Sequence, residues 1–294
     1  MSSVDFKAVI ENLTFSKMSP LWYRSFAQNM PAILAGGDIK DLPKHPNESA
    51  LVIGAGPSIE RFRQLDVLEK SEWNKAIICA DKELIPLLKR RILPLAVCTV
   101  DGDAVISKFY KHQLVRKYAD EITAVFNAVT VHPEVVKAWK GKICWFLPMW
   151  DDIMQPTSLT RAFHLMTGKT LMETYGNSGS ASWALAYFLG FSTIGIMGLD
   201  YSYLTDKPQE TTYFETFKIL CGGNLEKISG CYKRVATWAG HTVLTDNMWL
   251  VYLQMFLPAL ENAKAMTYNL SPTSIIITEK VKGMDISEFL KMYG

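Results

Sequence analysis

The run Leu51-Val-Ile-Gly-Ala-Gly-Pro-Ser-Ile-Glu60 sets an apolar stretch directly before a glycine turn and a helix start. Gly54 and Gly56 permit positive φ and close approach of another group. Pro57 suits a first helical turn because it has no N–H to waste, and Ser58 can cap or donate. Free N–H groups and the helix dipole favour a phosphate at such a place. Gly54, Ala55, Gly56, Pro57 and Ser58 are therefore candidate phosphate-binding residues. The run is neither a complete GxGxxG nor a P-loop, and a tight strand-to-helix turn without ligand would read the same way.

Acids and hydroxyls recur at comparable positions further on. Asp81 closes the expected strand Lys75–Ala80, where an acid either reaches a ribose hydroxyl or caps the next helix. Asp101-Gly-Asp103 closes another apolar run. Two such carboxylates can share a hard cation, since Mg²⁺ takes one or two carboxylates plus phosphates, or they can cap the helix beginning at Ala104. In Tyr175-Gly-Asn-Ser-Gly-Ser180, residues Asn177, Ser178, Gly179 and Ser180 form a second small-residue turn whose N–H groups make a candidate anion nest. Gly198-Leu-Asp200-Tyr201-Ser-Tyr203 supplies Asp200 as a candidate base and Tyr201 and Tyr203 as candidate phosphate contacts. His241, in Ala-Gly-His-Thr, is a candidate general base or a merely exposed histidine.

The elements that must position these residues are legible as alternation. Expected strands are Ala50–Gly54, Lys75–Ala80, Leu95–Val100, Ala124–Val129, Lys142–Leu147, Thr193–Leu199 and Ala265–Asn269. Expected helices are Ser58–Lys70, Lys82–Arg91, Ala104–Tyr118, Ser178–Leu189, Asn247–Ala263 (capped by Asp246) and Asp285–Met292. The strand runs are nearly continuous in Val, Ile, Leu, Ala and Cys, as in strands buried on both faces of a parallel sheet. The prediction is an α/β fold: a Rossmann-like, mostly parallel sheet with helices on both faces and right-handed crossovers. A short helical N-terminal appendage over residues 1–46, punctuated by Pro20 and Pro31, precedes a nucleotide-binding domain over 47–294. Residues 148–175 read as irregular, and 201–245 resist assignment.

Composition narrows the class. The 294 residues are 49% hydrophobic and 20% charged, enough to bury a core without staples. The formal charge of +2 comes without a basic stripe, which argues against nucleic acid as a partner; Lys89-Arg90-Arg91 reads as a solvated helix end. The five cysteines lack CxxC spacing, so no zinc or disulfide is expected, nor haem or flavin, and the compartment reads as reducing. The first residues lack a signal-peptide pattern, and cytoplasmic location is expected. The uncharged stretch 181–199 is near the length of a membrane span, but Gly190 divides it into a buried helix and a buried strand.

In this order Gly54–Ser58, Ala80-Asp81, Asp101-Gly-Asp103, Gly176–Ser180 and Gly198-Leu-Asp200 resemble the MptE-like / flagellar motility accessory factor (Maf) superfamily, across roughly 45–280. Its core is similar to that of bacterial sialyltransferases. The MptE branch implies pyrophosphate transfer from ATP to a hydroxymethylpterin, with magnesium held by Asp101 and Asp103. The Maf branch implies attachment of acidic sugars from CMP-activated donors. There Gly54–Ser58, Ser178–Ser180 and Gly198–Tyr201 would meet the nucleotide, the tyrosines would hold the leaving phosphate, and His241 would be the base. Ala55 departs from the asparagine of the sialyltransferase turn. Gly176–Ser180 is closer to Maf, and Asp101-Gly-Asp103 closer to MptE. The expected function is a nucleotide-dependent transferase, first a glycosyltransferase, second a diphosphokinase, with a non-catalytic nucleotide- or sugar-binding module as the third reading. Partners would be the nucleotide donor and a small-molecule or glycan acceptor, with self-association as an open option.

Overall fold

The computed structural model describes residues 6–294, with side chains from Ser16 onward. In chain order the strands are β1 (Gly37–Asp38), β2 (Ser49–Ile53), β3 (Ala76–Ala80), β4 (Ala96–Thr99), β5 (Thr123–Asn127), β6 (Ile143–Pro148), β7 (Leu171–Met172), β8 (Thr193–Met197), β9 (Tyr232–Ala236), β10 (Thr242–Asp246), β11 (Met266–Asn269) and β12 (Lys282–Gly283). All but β9 and β10 lie in one parallel sheet, ordered β1-β6-β5-β4-β3-β2-β8-β11-β12, with β7 beside β6. The fold is the expected Rossmann-like α/β arrangement.

Period-two alternation divides each strand between two cores. In β2, Leu51 and Ile53 enter one cluster while Ala50 and Val52 enter the other. The first cluster lies under the helices that follow β2 to β5 and under the closing helix Ile286–Tyr293. The second lies under helices Ser178–Phe188 and Asn247–Asn262. Both faces are covered, which is why the strands read as continuous apolar runs. No described helix is long and apolar enough to cross a membrane. The 181–199 stretch is the second half of a buried helix followed by β8.

The N-terminal helix Phe6–Ala35 runs through Pro20 and Pro31 without ending. Its Phe26 and Ile33 are buried in the first core, Asn29 Nδ2 donates to Val131 O at 2.8 Å, and β1 then pairs with β6.

Several expected elements are divided. Helix Ser58–Lys70 is two helices, Ser58–Arg61 and Gln64–Glu69, separated at Arg63 with φ +50°. The break lets Gln64 turn inward, where its Nε2 donates to Leu270 O at 2.5 Å. Ala104–Tyr118 is a 3₁₀ turn and two short helices, the last capped by His112. Residues 148–175 contain helix Leu159–Thr167 and β7. Residues 201–245 fold as helices Phe214–Leu220 and Leu225–Ser229 and the antiparallel β9–β10 hairpin, over a small core of Phe217, Ile228, Cys231, Met248 and Val251.

The order of the sheet reverses between β2 and β8: from β2 the chain builds outward to β6, then returns to β2's other side. Ligands of open α/β sheets bind outside the strand carboxyl ends at such a switch point. Here the two ends are sewn together past the last strand residues. Gly54 N–H donates to Met197 O and Gly56 N–H to Gly198 O, both at 2.8 Å. A Cβ on Gly54 would lie 2.5 Å from Gly198 O, backbone against backbone. Gly54→Ala is expected to cost about 1–3 kcal/mol through overpacking, read as a lowered midpoint in denaturant unfolding.

Candidate functional site

A cavity of about 1110 Å³ opens at the switch point. Its walls come from the ends of β2, β3, β4 and β8 and from the start of helix Ser178–Phe188. Most of the expected residues line it: Gly54, Ala55, Gly56 and Pro57, Asp81, Asp101, Asn177, Ser178 and Gly179, and Asp200, Tyr201 and Tyr203. Ser58, Asp103, Ser180 and His241 do not.

The glycine turn is largely committed to the fold. Besides the Gly54 and Gly56 bonds, Ser58 N–H donates to Asp200 Oδ2 at 2.8 Å. Ser58 Oγ is fully buried and donates to Ser271 Oγ at 3.0 Å, which also accepts Gly198 N–H at 2.7 Å. Asp200 therefore occupies the place at this helix start that a phosphate would take. Gly56 is required there, because a Cβ would press into the Asp200 carboxylate. Asp200 is 2% exposed, and Thr273 Oγ1 donates to its other oxygen at 3.3 Å. Burial pushes its carboxyl up to about 6, against hydrogen bonds from Ser58 that pull it down. Among the described residues, Ala55 is left as the turn N–H facing the cavity without an acceptor.

The second small-residue turn is more open. Asn177 caps helix Ser178–Phe188, its Oδ1 accepting from Ser180 N–H at 2.9 Å. Ser180 Oγ is buried and donates to Thr174 O at 2.7 Å. Ser178 and Gly179 carry the first two N–H groups of an eleven-residue helix, which have no carbonyl one turn back. They line the cavity, where the helix dipole favours an anion.

Carboxylates stand beside this helix start. Asp81 is 6% exposed and accepts from Ser178 Oγ at 3.3 Å. Burial raises it to about 6; the Thr99 and Ser178 hydroxyls oppose this, and the charge of Asp101 adds to it. Asp101 is exposed on the cavity wall, with Oδ1 accepting Asp103 N–H at 2.9 Å. Asp103 lies outside the cavity and caps the following 3₁₀ turn through Val105 N–H at 2.8 Å. Asp101 and Asp103 are thus consecutive local caps, and of the two only Asp101 lines the cavity. Asp81 and Asp101 both line the cavity, and the charge of Asp101 acts on Asp81.

Tyr201 is buried in the left-handed region, φ 53°, a costly conformation for a bulky residue. Thr245 Oγ1 holds its carbonyl at 2.7 Å, and Asn177 Nδ2 donates to its hydroxyl at 3.2 Å. Burial raises its hydroxyl to about 12. Tyr203 donates to Asp246 Oδ2 at 2.7 Å, so its proton is already placed; burial and the Asp246 charge raise its pKa. Asp246 caps Asn247–Asn262 as expected, through Trp249 N–H. His241 is exposed at the β9–β10 turn, its ring 6.0 Å from that of Phe62.

Glu83, absent from the residues expected at the site, also lines the cavity. It is 7% exposed, and no described residue hydrogen-bonds to it. Burial drives its carboxyl up to about 7, with Lys82 and Arg90 opposing. The sequence signal was its position two residues beyond Asp81, hidden because Asp81-Lys-Glu83 reads as an ordinary charged helix start.

A family model described as 6-hydroxymethylpterin diphosphokinase MptE-like matches residues 24–206. This chain belongs to the MptE-like family. The matched residues include the glycine turn, Asp81, Asp101, Gly176–Ser180 and Asp200, but not His241. No curated protein sequence matches the chain. Among solved structures, the Maf glycosyltransferase from Magnetospirillum magneticum AMB-1 is similar over 92% of this chain and 38% of its own, at TM-score 0.62 and 15% identity. That likeness is one of fold, and the chain spans well under half of that protein.

Glu83, Asp81 and Asp200 make stability depend on pH. Their folded pKa values lie above ordinary carboxyl values, so between about 4 and about 7 the folded state holds more protons than the unfolded state. Stability therefore falls as pH rises through that window, by roughly 1.4 kcal/mol per pH unit for each group protonated only in the folded state. Glu83→Gln is expected to flatten the slope between about pH 5 and 8 and to raise the melting temperature at about pH 8, measured by calorimetry.

Proposed function

We propose that this MptE-like chain is a nucleotide-dependent transferase that moves a group from a phosphate-bearing donor to an acceptor hydroxyl. The carrying observation is the convergence, at the switch point of the sheet, of the Ser178–Gly179 helix start with the Asp81, Asp101 and Tyr201 side chains around one large cavity. The volume accommodates a nucleotide and an acceptor together. Donor phosphates would lie against the Ser178, Gly179 and Ala55 N–H groups, where negative charge grows as the donor bond breaks. Asp200 acts as a positioning residue that holds the glycine turn open.

Glycosyl transfer from a CMP-type donor carrying an acidic sugar is the first reading. Such a reaction needs a base for the acceptor proton as the new C–O bond forms. His241 lies outside the cavity wall and Asp200 is 2% exposed with both oxygens hydrogen-bonded, whereas Asp101 is exposed on that wall. We assign the base role to Asp101. The second reading, diphosphoryl transfer from ATP to a hydroxymethyl compound such as a hydroxymethylpterin, draws support from the family description and from Asp81 and Asp101 lining one cavity, with the charge of Asp101 acting on Asp81. A magnesium ion held there would neutralise donor phosphate charge.

A thermal-shift panel of CMP, CTP, ADP and ATP, each with and without Mg²⁺, separates the readings. A ligand at a hundred times its dissociation constant adds about 2.7 kcal/mol. The first reading expects a cytidine-selective, magnesium-independent shift; a magnesium-dependent ATP shift overturns it in favour of the second. Asp101→Asn is expected to lower turnover about 10²–10⁴-fold while donor binding persists, and His241→Ala to leave turnover near wild type. Donor binding without consumption of any donor, followed by chromatography, would leave a binding module.

A further inference from the structure

The lobe of residues 201–245 holds two thiols that group transfer in the cavity does not use. Cys221 ends helix Phe214–Leu220 and is partly exposed, while Cys231 is 2% exposed where the chain enters β9. Both are free, and their sulfurs lie 3.9 Å apart, with Cys231 Sγ also donating to Lys227 O at 3.3 Å. The other three cysteines are fully buried in the sheet. Cys79 faces the first core, whereas Cys98 and Cys144 face the second from β4 and β6, with β5 between them. Of the five, only Cys221 and Cys231 are placed to react with each other.

The two thiols differ in the way a stepwise oxidation requires. An oxidant in solution meets the accessible sulfur first, and that is Cys221. Burial and the neighbouring Cys221 push the Cys231 thiol well above its ordinary value, so it waits protonated in the small core. Closing the pair to bonding distance takes a shift of about 2 Å. The chain permits it: Gly222 and Gly223 follow Cys221 with φ +58° and +76°, with nothing packed where a Cβ would lie, and residues 222–227 are exposed.

The pair is also wired to the cavity wall. Cys221 N–H donates to Phe217 O at 2.8 Å, and Phe217 packs with Cys231, Met248 and Val251. Cys231 O accepts Asn247 N–H at 3.0 Å, and Asn247 opens the helix that carries Trp249 onto that wall. A bond between the two sulfurs therefore joins helix Phe214–Leu220 to the start of the Trp249 helix.

We propose that Cys221 and Cys231 form a reversible oxidation site, at which a hydroperoxide converts the two thiols to a disulfide that ties the lobe to the cavity wall. The Cys221 thiolate attacks a peroxide oxygen: an S–O bond forms, the O–O bond breaks, and the leaving oxygen takes up a proton, giving a sulfenic acid on Cys221. The Cys231 sulfur then attacks the Cys221 sulfur: the S–S bond forms, the S–O bond breaks, and the departing hydroxide leaves as water with the Cys231 thiol proton. The two sulfurs lose two electrons in all, and the peroxide accepts both. A dithiol reductant reverses the change. The site stands whatever the cavity binds.

The test treats wild-type protein with hydrogen peroxide at about pH 8, removes the peroxide with catalase, alkylates the remaining thiols in denaturant and maps the peptides. Wild type is expected to lose two of its five thiols as one Cys221–Cys231 disulfide within a single chain, and to regain both with dithiothreitol. Cys221→Ser is expected to keep its remaining thiols under the same treatment. Cys231→Ala is expected to hold Cys221 as a sulfenic acid that dimedone captures. Tryptic cleavage of the native protein at the exposed Lys218, which requires helix Phe214–Leu220 to open, is expected to slow about tenfold on oxidation of wild type. Retention of all five thiols by wild type, or a disulfide mapped to another pair or between two chains, overturns the proposal without recourse to any variant. A mapped Cys221–Cys231 disulfide that leaves the Lys218 cleavage rate unchanged overturns the tie between the lobe and the wall.

Discussion

The close approach of the β2 and β8 ends, closed by the Asp200 carboxylate on Ser58 N–H, is the constraint on which the rest of the cavity depends. Two backbones can pass this near only because Gly54, Gly56 and Gly198 have no Cβ there. The bond at 2.8 Å then places a buried carboxylate on a helix start, where the dipole and N–H favour negative charge. This interaction sets the position of Ala55 on one side and of Tyr201 on the other. It also sets the strand end from which Tyr201 enters its left-handed conformation.

The same interaction redistributes the roles of the two small-residue turns. Both present a helix start to one cavity. One is filled by the protein's own carboxylate, and the other, at Ser178–Gly179, is not. A protein that supplies an internal anion at one helix start and leaves the second accessible has one helix start, not two, open to an external anion. The lobe of residues 201–245 closes the adjoining wall. Its hairpin holds Tyr203 N–H through Leu244 O at 2.7 Å, and Asp246 at the end of that hairpin accepts a hydrogen bond from the Tyr203 hydroxyl. The aromatic wall is thus anchored to an element outside the parallel sheet.

Charge inside the cavity is divided along the β3 turn. Asp81 faces the open helix start and the repelling Asp101, whereas Glu83 faces the ion pairs of the helix that follows the glycine turn. Acids two residues apart on a 3₁₀ turn point to different flanks because three residues complete a turn, which sets their side chains about 120° apart. One became part of the scaffold and the other remained open on the cavity wall.

The sequence by itself determined the sheet, its parallel sense and the positions of its strand ends. Strands buried on both faces leave continuous apolar runs, and the residues that end them are glycines and acids with few alternative uses. It thereby determined that Gly54–Gly56, Asp81, Asp101, Ser178 and Asp200 gather at one edge. Tertiary structure alone decided which of them face the cavity. Ser58, Ser180 and Asp103 match their neighbours in type, but their polar atoms bond to partners inside the fold, some as far along the chain as Ser271. His241 was placed by a hairpin whose strands have little apolar patterning, because they form a two-stranded ribbon beside the sheet and not within it. Glu83 was invisible for the converse reason: whether one acid of an ordinary charged helix start opens on a cavity is a property of the space around its side chain, and no local pattern of residues encodes it.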